Sequence, residues 1–397
     1  MSWNQQLVKI SNKARILQTI KGEAPISRAD LSIQLGLAKG TVSSLVNELI
    51  DEKMCYEMGP GKSSGGRRPV MLLFNERAGY SIGIDLGVNY ILGVLCDLSG
   101  NIVIETMKPM NNMEYGETLK TIKEVIKTLA ASSPESHYGV VGIGIGVPGI
   151  VSGDGQNILL APNLGWKNVN LKQDIADEFN LPVIIENEAN AGACGEKHFG
   201  AGKEYDHVIY VSAGIGLGVG FILEGSLYRG ANGFSGEMGH MIIDINGNKC
   251  NCGSVGCWEL YASEQALLNG AKELSLFDQE EPLSLETLCK LASDHEEIRD
   301  LFKNIGKYLG IGINNIINIF NPQQIIIGNR LSIAEEWLLP SIREVVESHT
   351  LKQSAPNLQI NFADLKSYST AVGISTFVTE DFLKSDVGEN LASRLKG

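Results

Sequence analysis

The sequence predicts an α/β protein of two similar lobes carrying a winged helix-turn-helix at its N-terminus. Three observations support this. Between residues 27 and 50 a short capped helix runs through a glycine turn into a second amphipathic helix. Apolar strands flank a Gly/Asp/Asn turn after Tyr80, and a related glycine-punctuated pattern restarts at His207. Charge is divided unevenly: residues 1–80 hold 11 Lys+Arg against 7 Asp+Glu, although the whole chain has a net charge of −13.

A length of 397 residues exceeds what one compact core usually supports. The expected division is a DNA-binding unit over 1–75 and a body over 78–397. The body's lobes are expected at roughly 78–190 with the C-terminal helix, and at 191–375. Apolar residues at 43% and charged residues at 20% describe an ordinary globular chain. No apolar run approaches the ~18 residues of a membrane span, so no membrane partner is expected. The first residues lack the basic-then-apolar layout of a signal peptide. Seven cysteines, an odd number scattered outside one cluster, fit a reducing cytoplasm better than a disulfide framework.

In the N-terminal part, Ala14, Ile16, Leu17 and Ile20 have helical spacing between Asn12 and Lys21. Ser27 reads as a cap with Asp30 reaching back and Ile26–Leu31 as a staple, and Gly36 ends that helix after about two turns. Val42, Leu45, Val46, Leu49 and Ile50 then set the buried stripe of the second helix. Its polar face carries Lys39, Thr41, Ser43, Ser44 and Asn47, short hydrogen-bonding groups suited to a major groove. Arg28 at the start of the preceding helix joins this set of candidate DNA contacts. Two short strands around the loop 59–69 make a wing whose Arg67 and Arg68 suit phosphate or a minor groove. Ala38 stands where a cap worth ~1 kcal/mol would be expected. A phosphate could supply that missing acceptor. The basic balance of this part, on a body with a balance of −17, points to a polyanion partner for the head only.

In the body, residues 80–97 read as a hairpin, 102–104 as a third strand, 116–131 as an amphipathic helix and 140–147 as a buried strand with alternating glycines. The second copy starts at 207–211, passes through glycines 214, 216, 218 and 220, and returns at 221–223. Two such units suggest two lobes with a cleft between them.

The stretch 236–259 concentrates chemistry. His240, Cys250, Cys252 and Cys257 form a Cys3His set, which a closed tetrahedral zinc site requires. Cysteines are often only small buried hydrophobes. Gly247, Gly253 and Gly256 instead suggest tight turns wrapped around an ion. Structural zinc is therefore the expected cofactor. Glu237 and Glu259 flank the set, so a metal would fix both carboxylates.

These motifs carry a resemblance. Asp85-Leu86-Gly87, Val147-Pro148-Gly149, Pro162-Asn163, Glu186-Asn187-Glu188-Ala189-Asn190, the glycine run and Gly236-Glu237-x-Gly239-His240 with its cysteines resemble the ROK family of repressors and sugar kinases. The resemblance covers residues 80–380 and implies an actin-like, ribonuclease-H-like two-lobed fold. It also implies a sugar site at Asn163, Asn187, Glu188, Glu237, His240 and Glu259. Capping is an alternative role for Asn187, since Asx residues often serve turns. With the helix-turn-helix, the chain resembles the branch of that family induced by xylose. That branch implies a homodimer, a palindromic operator and xylose as inducer. Family kinases have Asp-x-Gly-Gly-Thr-Lys where this chain has Gly87, Val88, Asn89 and Tyr90 after Asp85-Leu86. They have Gly-Thr-Gly at Ser212-Ala213-Gly214 and a catalytic Asp at Glu188. These departures imply a sensor and not an enzyme, with a sugar kinase bearing a DNA-binding module as the alternative.

Overall fold

The computed structural model of the chain describes residues 3–384 apart from 61–68, 111–112, 154, 275, 277–282, 352 and 354–356. Helix α1 (Trp3–Glu23) extends well before the predicted Asn12 and buries Ile16, Leu17 and Ile20. A two-residue strand not foreseen, β1 (Ile26–Ser27), leads into α2 (Arg28–Leu35). The capping box forms: Asp30 N donates to Ser27 Oγ at 3.2 Å, and Ser27 N to Asp30 Oδ2 at 3.4 Å. Gly36, at φ 64°, closes α2 in the left-handed region. Helix α3 (Lys39–Asp51) starts at Ala38 with no side-chain cap, as its sequence predicts. Strands β2 (Cys55–Pro60) and β3 (Val70–Phe74) pair antiparallel, with β1 on the far edge of β3. The wing tip with Arg67 and Arg68 lies outside the described residues.

The first lobe is built on β4 (Tyr80–Leu86), β5 (Tyr90–Asp97) and β6 (Ile102–Pro109), which runs five residues past the predicted third strand. Helix α4 (Tyr115–Ala131) covers one face, and β7 (Val140–Val147) lies parallel to β4. A small antiparallel sheet of β8 (Ile150–Val151), β9 (Ile158–Ala161) and β10 (Trp166–Val169) follows. Then come α5 (Leu171–Phe179), β11 (Val183–Asn187) and α6 (Glu188–Phe199).

The second lobe repeats the scheme. Strands β12 (Val208–Ala213), β13 (Leu217–Leu223) and β14 (Ser226–Leu227) form its antiparallel half, with Gly218 and Gly220 inside β13 and not in a loop. Helices α7 (Glu259–Ala262), α8 (Glu264–Lys272), α9 (Leu285–Leu291) and the 25-residue α10 (Glu296–Phe320) intervene. Strand β15 (Gln324–Gly328), helix α11 (Glu335–His349) and strand β16 (Gln359–Phe362) complete it, and helix α12 (Ser369–Lys384) returns to the first lobe. The sheet orders are β11-β7-β4-β5-β6 and β14-β13-β12-β15-β16. In each, the first strand pairs antiparallel on one side and parallel on the other, so the two sheets share one connectivity.

Helix α12 crosses α6 and packs on β4 and β7. The alternating glycines of β7 are explained here: a Cβ on Gly144 would lie 2.7 Å from Ile374 O of α12. At its far end α12 contributes Val378, Phe382 and Leu383 to the core that also holds Ile16, Leu17, Val42 and Leu45 of the head. Tyr138 stacks edge-on against Phe382 and donates to Glu52 O, just past α3, at 2.9 Å. No helix among the described residues is long and apolar enough to cross a membrane.

Candidate functional site

The residues that follow β4, β12 and β15 at their C-terminal ends line one cleft, the position where open α/β sheets hold their ligands. Between them lies a cavity of about 290 Å³. Small-molecule pockets span roughly 300–1,000 Å³, so this one suits a ligand of few atoms. Its wall is formed by the turn 87–90, Asn163, the α6 start at Asn187 and Glu188, the turn 214–218, and Glu237, His240 and Glu259. All six residues predicted for a polar ligand therefore line one cavity.

Their geometry is unequal. A Cβ on Gly216 would stand 2.8 Å from Asn163 Nδ2 and 3.2 Å from Glu259 Oε2, so these two side chains converge over that glycine. Asn187 is largely spent on capping: its Oδ1 accepts from Ala189 N at 2.9 Å and Asn190 N at 3.2 Å, and its Nδ2 donates to Gly149 O at 2.9 Å. One N–H of Asn187 is left for a ligand. Glu188, half-buried, accepts from Ser212 Oγ at 3.3 Å. Burial, reinforced by the nearby Asp85 charge, pushes the Glu188 carboxyl up to about 8. Burial likewise pushes Asp85 up to about 7, against the hydrogen bond from Tyr90.

The loop 236–259 is anchored from below. Trp258 is fully buried and donates from Nε1 to Tyr308 O at 2.7 Å. It fits because α10 has Gly312 beneath it, where a Cβ would stand 2.0 Å from the indole. Gly256, at φ 69°, lets the chain pass Asp244 O, which would be 1.6 Å from any Cβ there. The ligand atoms of His240, Cys250, Cys252 and Cys257 lie within 4.8 Å of one another. Cys252 Sγ and Cys257 Sγ are 3.7 Å apart. A tetrahedron with Zn–S bonds of about 2.3 Å has edges of about 3.8 Å, so the donor set fits zinc in type and spacing. His240 turns Nδ1 toward Cys250 Sγ (3.8 Å) and Glu259 Oε1 (3.4 Å), and Nε2 toward Glu237 Oε2 (3.9 Å). Both carboxylates thus meet the imidazole that belongs to the cluster.

On the head, Lys39, Thr41, Ser44 and Asn47 are exposed along α3, and Ser43 is half-buried. Arg28 donates to Asn47 Oδ1 at 2.8 Å and pairs with Glu57 at 3.0 Å, tying α2, α3 and β2 together.

The cavity also draws in residues not singled out from the sequence. Asn329 and Arg330 follow β15, and Tyr90, read there only as a missing lysine, lies beside Asn329 in the same lining. Arg330 is held by Glu264 (3.1 Å) and Glu286 (2.8 Å). Asn329 adopts φ 64° with ψ −158°, a region that side chains rarely occupy and a local signal of a constrained site.

The ROK family sequence pattern matches residues 81–381, and a winged helix-turn-helix DNA-binding pattern matches residues 12–53. The chain belongs to the ROK family. It is 46% identical to the xylose repressor of Bacillus subtilis over 381 residues, covering 96% of this chain and 98% of that relative. It is 28% identical to the N-acetylglucosamine repressor of Shigella flexneri, covering 98% and 97%. Among solved structures, a ROK transcriptional regulator described as a homologue of the Escherichia coli MLC protein superposes with a TM-score of 0.79 at 29% identity, covering 98% of this chain and all of that one. A ROK glucokinase from Streptomyces griseus in complex with glucose and AMPPNP gives 0.70 at 30% identity, covering 75% of this chain and 99% of that one.

Proposed function

We propose that this ROK protein is a sugar-responsive, DNA-binding transcriptional repressor of xylose-utilisation genes, released from its operator when xylose enters the cleft. The near-full-length similarity to the Bacillus subtilis xylose repressor carries the reading. The head over residues 1–75 binds DNA. The body over 78–397 senses sugar, with lobes over 78–190 plus the C-terminal helix and over 191–375. A homodimer presents two α3 helices to the half-sites of a palindrome, with Lys39, Thr41, Ser43, Ser44 and Asn47 on the groove. Arg28 orders Asn47, and Arg67 and Arg68 of the wing reach the backbone.

Asn163, Glu237, His240 and Glu259 supply the donors and acceptors a sugar needs, with the remaining N–H of Asn187 and the Glu188 carboxyl at the floor. Zinc, held by His240, Cys250, Cys252 and Cys257, has a structural role and keeps Glu237 and Glu259 in place. Sugar favours a closed cleft, and the two-state equilibrium shifts away from the DNA-competent spacing of the heads.

No phosphoryl transfer follows. The turn after Asp85 lacks the second glycine, threonine and lysine of the kinases, and Glu188 is one methylene longer than their aspartate. Displacements near 1 Å can cost about 100-fold in such chemistry. The retained carboxylate at Glu188 and the 30% identity to the Streptomyces griseus glucokinase favour a kinase, and a coupled ATPase assay with several sugars decides between the two. The repressor reading is tested by titrating operator release against xylose, glucose and N-acetylglucosamine with zinc-replete protein. Release at the lowest concentration of xylose is expected, and no release by any sugar refutes the reading.

A further inference from the structure

Two glycine turns face each other across the cleft floor, Gly87 after β4 and Gly214–Gly216 between β12 and β13. Turns without side chains are where a backbone can approach phosphate oxygens. In this chain the space over the first turn is taken. The ring of Tyr90 lies on Gly87 so closely that a Cβ there would be 2.4 Å from Cε1 and 2.7 Å from Cζ. Tyr90 is 9% exposed, and its hydroxyl donates to Asp85 Oδ2 at 2.7 Å. The hydroxyl is also 3.5 Å from Asn329 Oδ1, on the opposite lobe. Asn329 Nδ2 donates to Ser212 Oγ at 2.9 Å, and Ser212 donates to Glu188. A chain of polar side chains therefore spans the floor from one sheet to the other, with an aromatic ring at its centre.

The charges point the same way. Arg330 is the one lysine or arginine among the described residues lining the cavity, and two glutamates hold it. A polyphosphate entering here would have to displace an aromatic ring and would find no free cationic side chain among the described residues lining the cavity.

We propose that Tyr90 is the residue that determines nucleotide exclusion: its ring occupies the phosphate side of the cleft, so the cavity answers to sugar alone. The proposal builds on the sugar-sensing reading, but its test reads nucleotide binding directly. Isothermal titration with AMPPNP and Mg²⁺ is run on the full-length protein, wild type and Y90F against Y90A and Y90T. Y90F keeps the ring and loses only the hydroxyl. Wild type and Y90F are expected to show no binding near 1 mM, and the two small-side-chain variants to bind at least tenfold tighter than wild type. Wild-type binding as tight as that of Y90A overturns the proposal. So does failure of both small variants to gain binding while they still bind xylose. Should neither fold, the wild type alone decides, because saturable AMPPNP binding to it is incompatible with a ring in that space. Operator release by xylose is followed in parallel. Its failure alongside a nucleotide gain would refute the sensor reading and leave this one standing, and the reverse pattern would do the opposite.

Discussion

The two walls of the cleft are built on different physical terms. The wall at 236–259 is an irregular loop with little regular secondary structure, anchored by one buried indole and by a donor cluster that fits zinc. It presents Glu237, His240 and Glu259 to the cavity. The wall at 85–90 belongs to a regular β-hairpin of seven residue pairs, and its side chains turn inward on one another, Tyr90 onto Asp85 and Gly87. One wall keeps polar groups available, whereas the other turns Tyr90 onto Asp85, leaves Asp85 Oδ1 buried without a partner, and fills its space. A fold shared with kinases is thus left with one half of its cleft able to receive a ligand.

That contrast can be broken from either side. The largest effect is expected for Trp258→Ala, which empties the anchor of the loop wall and should cost about 3–5 kcal/mol. Thermal denaturation followed with bound zinc measures it, and the loss of metal should accompany the loss of stability. Next, Glu259→Ala removes a carboxylate aimed at the cavity. About 1.4 kcal/mol, just under the usual ~1.5–3 kcal/mol for a hydrogen bond to a charged group, would raise the xylose midpoint for operator release about tenfold. An unchanged midpoint would mean that this wall is not the ligand side.

The hairpin wall is probed by pH. Asp85 and Glu188 have carboxyls raised to about 7 and about 8, chiefly by burial. A raised carboxyl pKa means that the folded state holds its proton where the unfolded chain has lost it. The stability contributed is then full below about 4 and is lost as pH rises through 7 to 8. Asp85→Asn, which can still accept from Tyr90, should flatten the fall in melting temperature between pH 5 and 8 by roughly the share of one group. A slope identical to wild type would show that Asp85 is ionised throughout. The smallest effect is expected outside both walls: Lys39→Ala should weaken operator binding for all sequences and lower the salt slope by about 1, leaving the xylose midpoint alone.

Much of this architecture could be read from local chemistry. The capping box at Ser27 and Asp30, the end of α2 at Gly36 and the missing cap at Ala38 depend on residues within a few positions of each other, and all three appear in the structure. The limits of β7 were equally legible because Pro148 and Gly149 stop it. What escaped depends on distant partners. The glycines of β7 read only as small until α12, over 220 residues later, lay against them. Asn187 had a cap and a ligand as competing uses, and Gly149 O drew it to the former. Tyr90 reads as an absence when set beside a family motif, and its role emerges only where Asp85 and Asn329 close around it. The early part of α1 is marked only weakly: Gln6 to Lys9 are exposed, although Leu7 and Ile10 keep the helical spacing of Ala14 and Leu17.

The head does not hang from a tether. Its core continues into Val141, Val378 and Phe382 of the body, and Tyr138 grips the carbonyl just past α3. A recognition helix mounted this way works as one arm of a caliper. In the proposed dimer the bodies would set the gap between the two arms, so operator binding would depend on the helical phase of the half-sites as well as on their bases. One or two base pairs inserted between half-sites would rotate one site away from its arm, and binding should return only when about a full turn of 10–10.5 base pairs has been added.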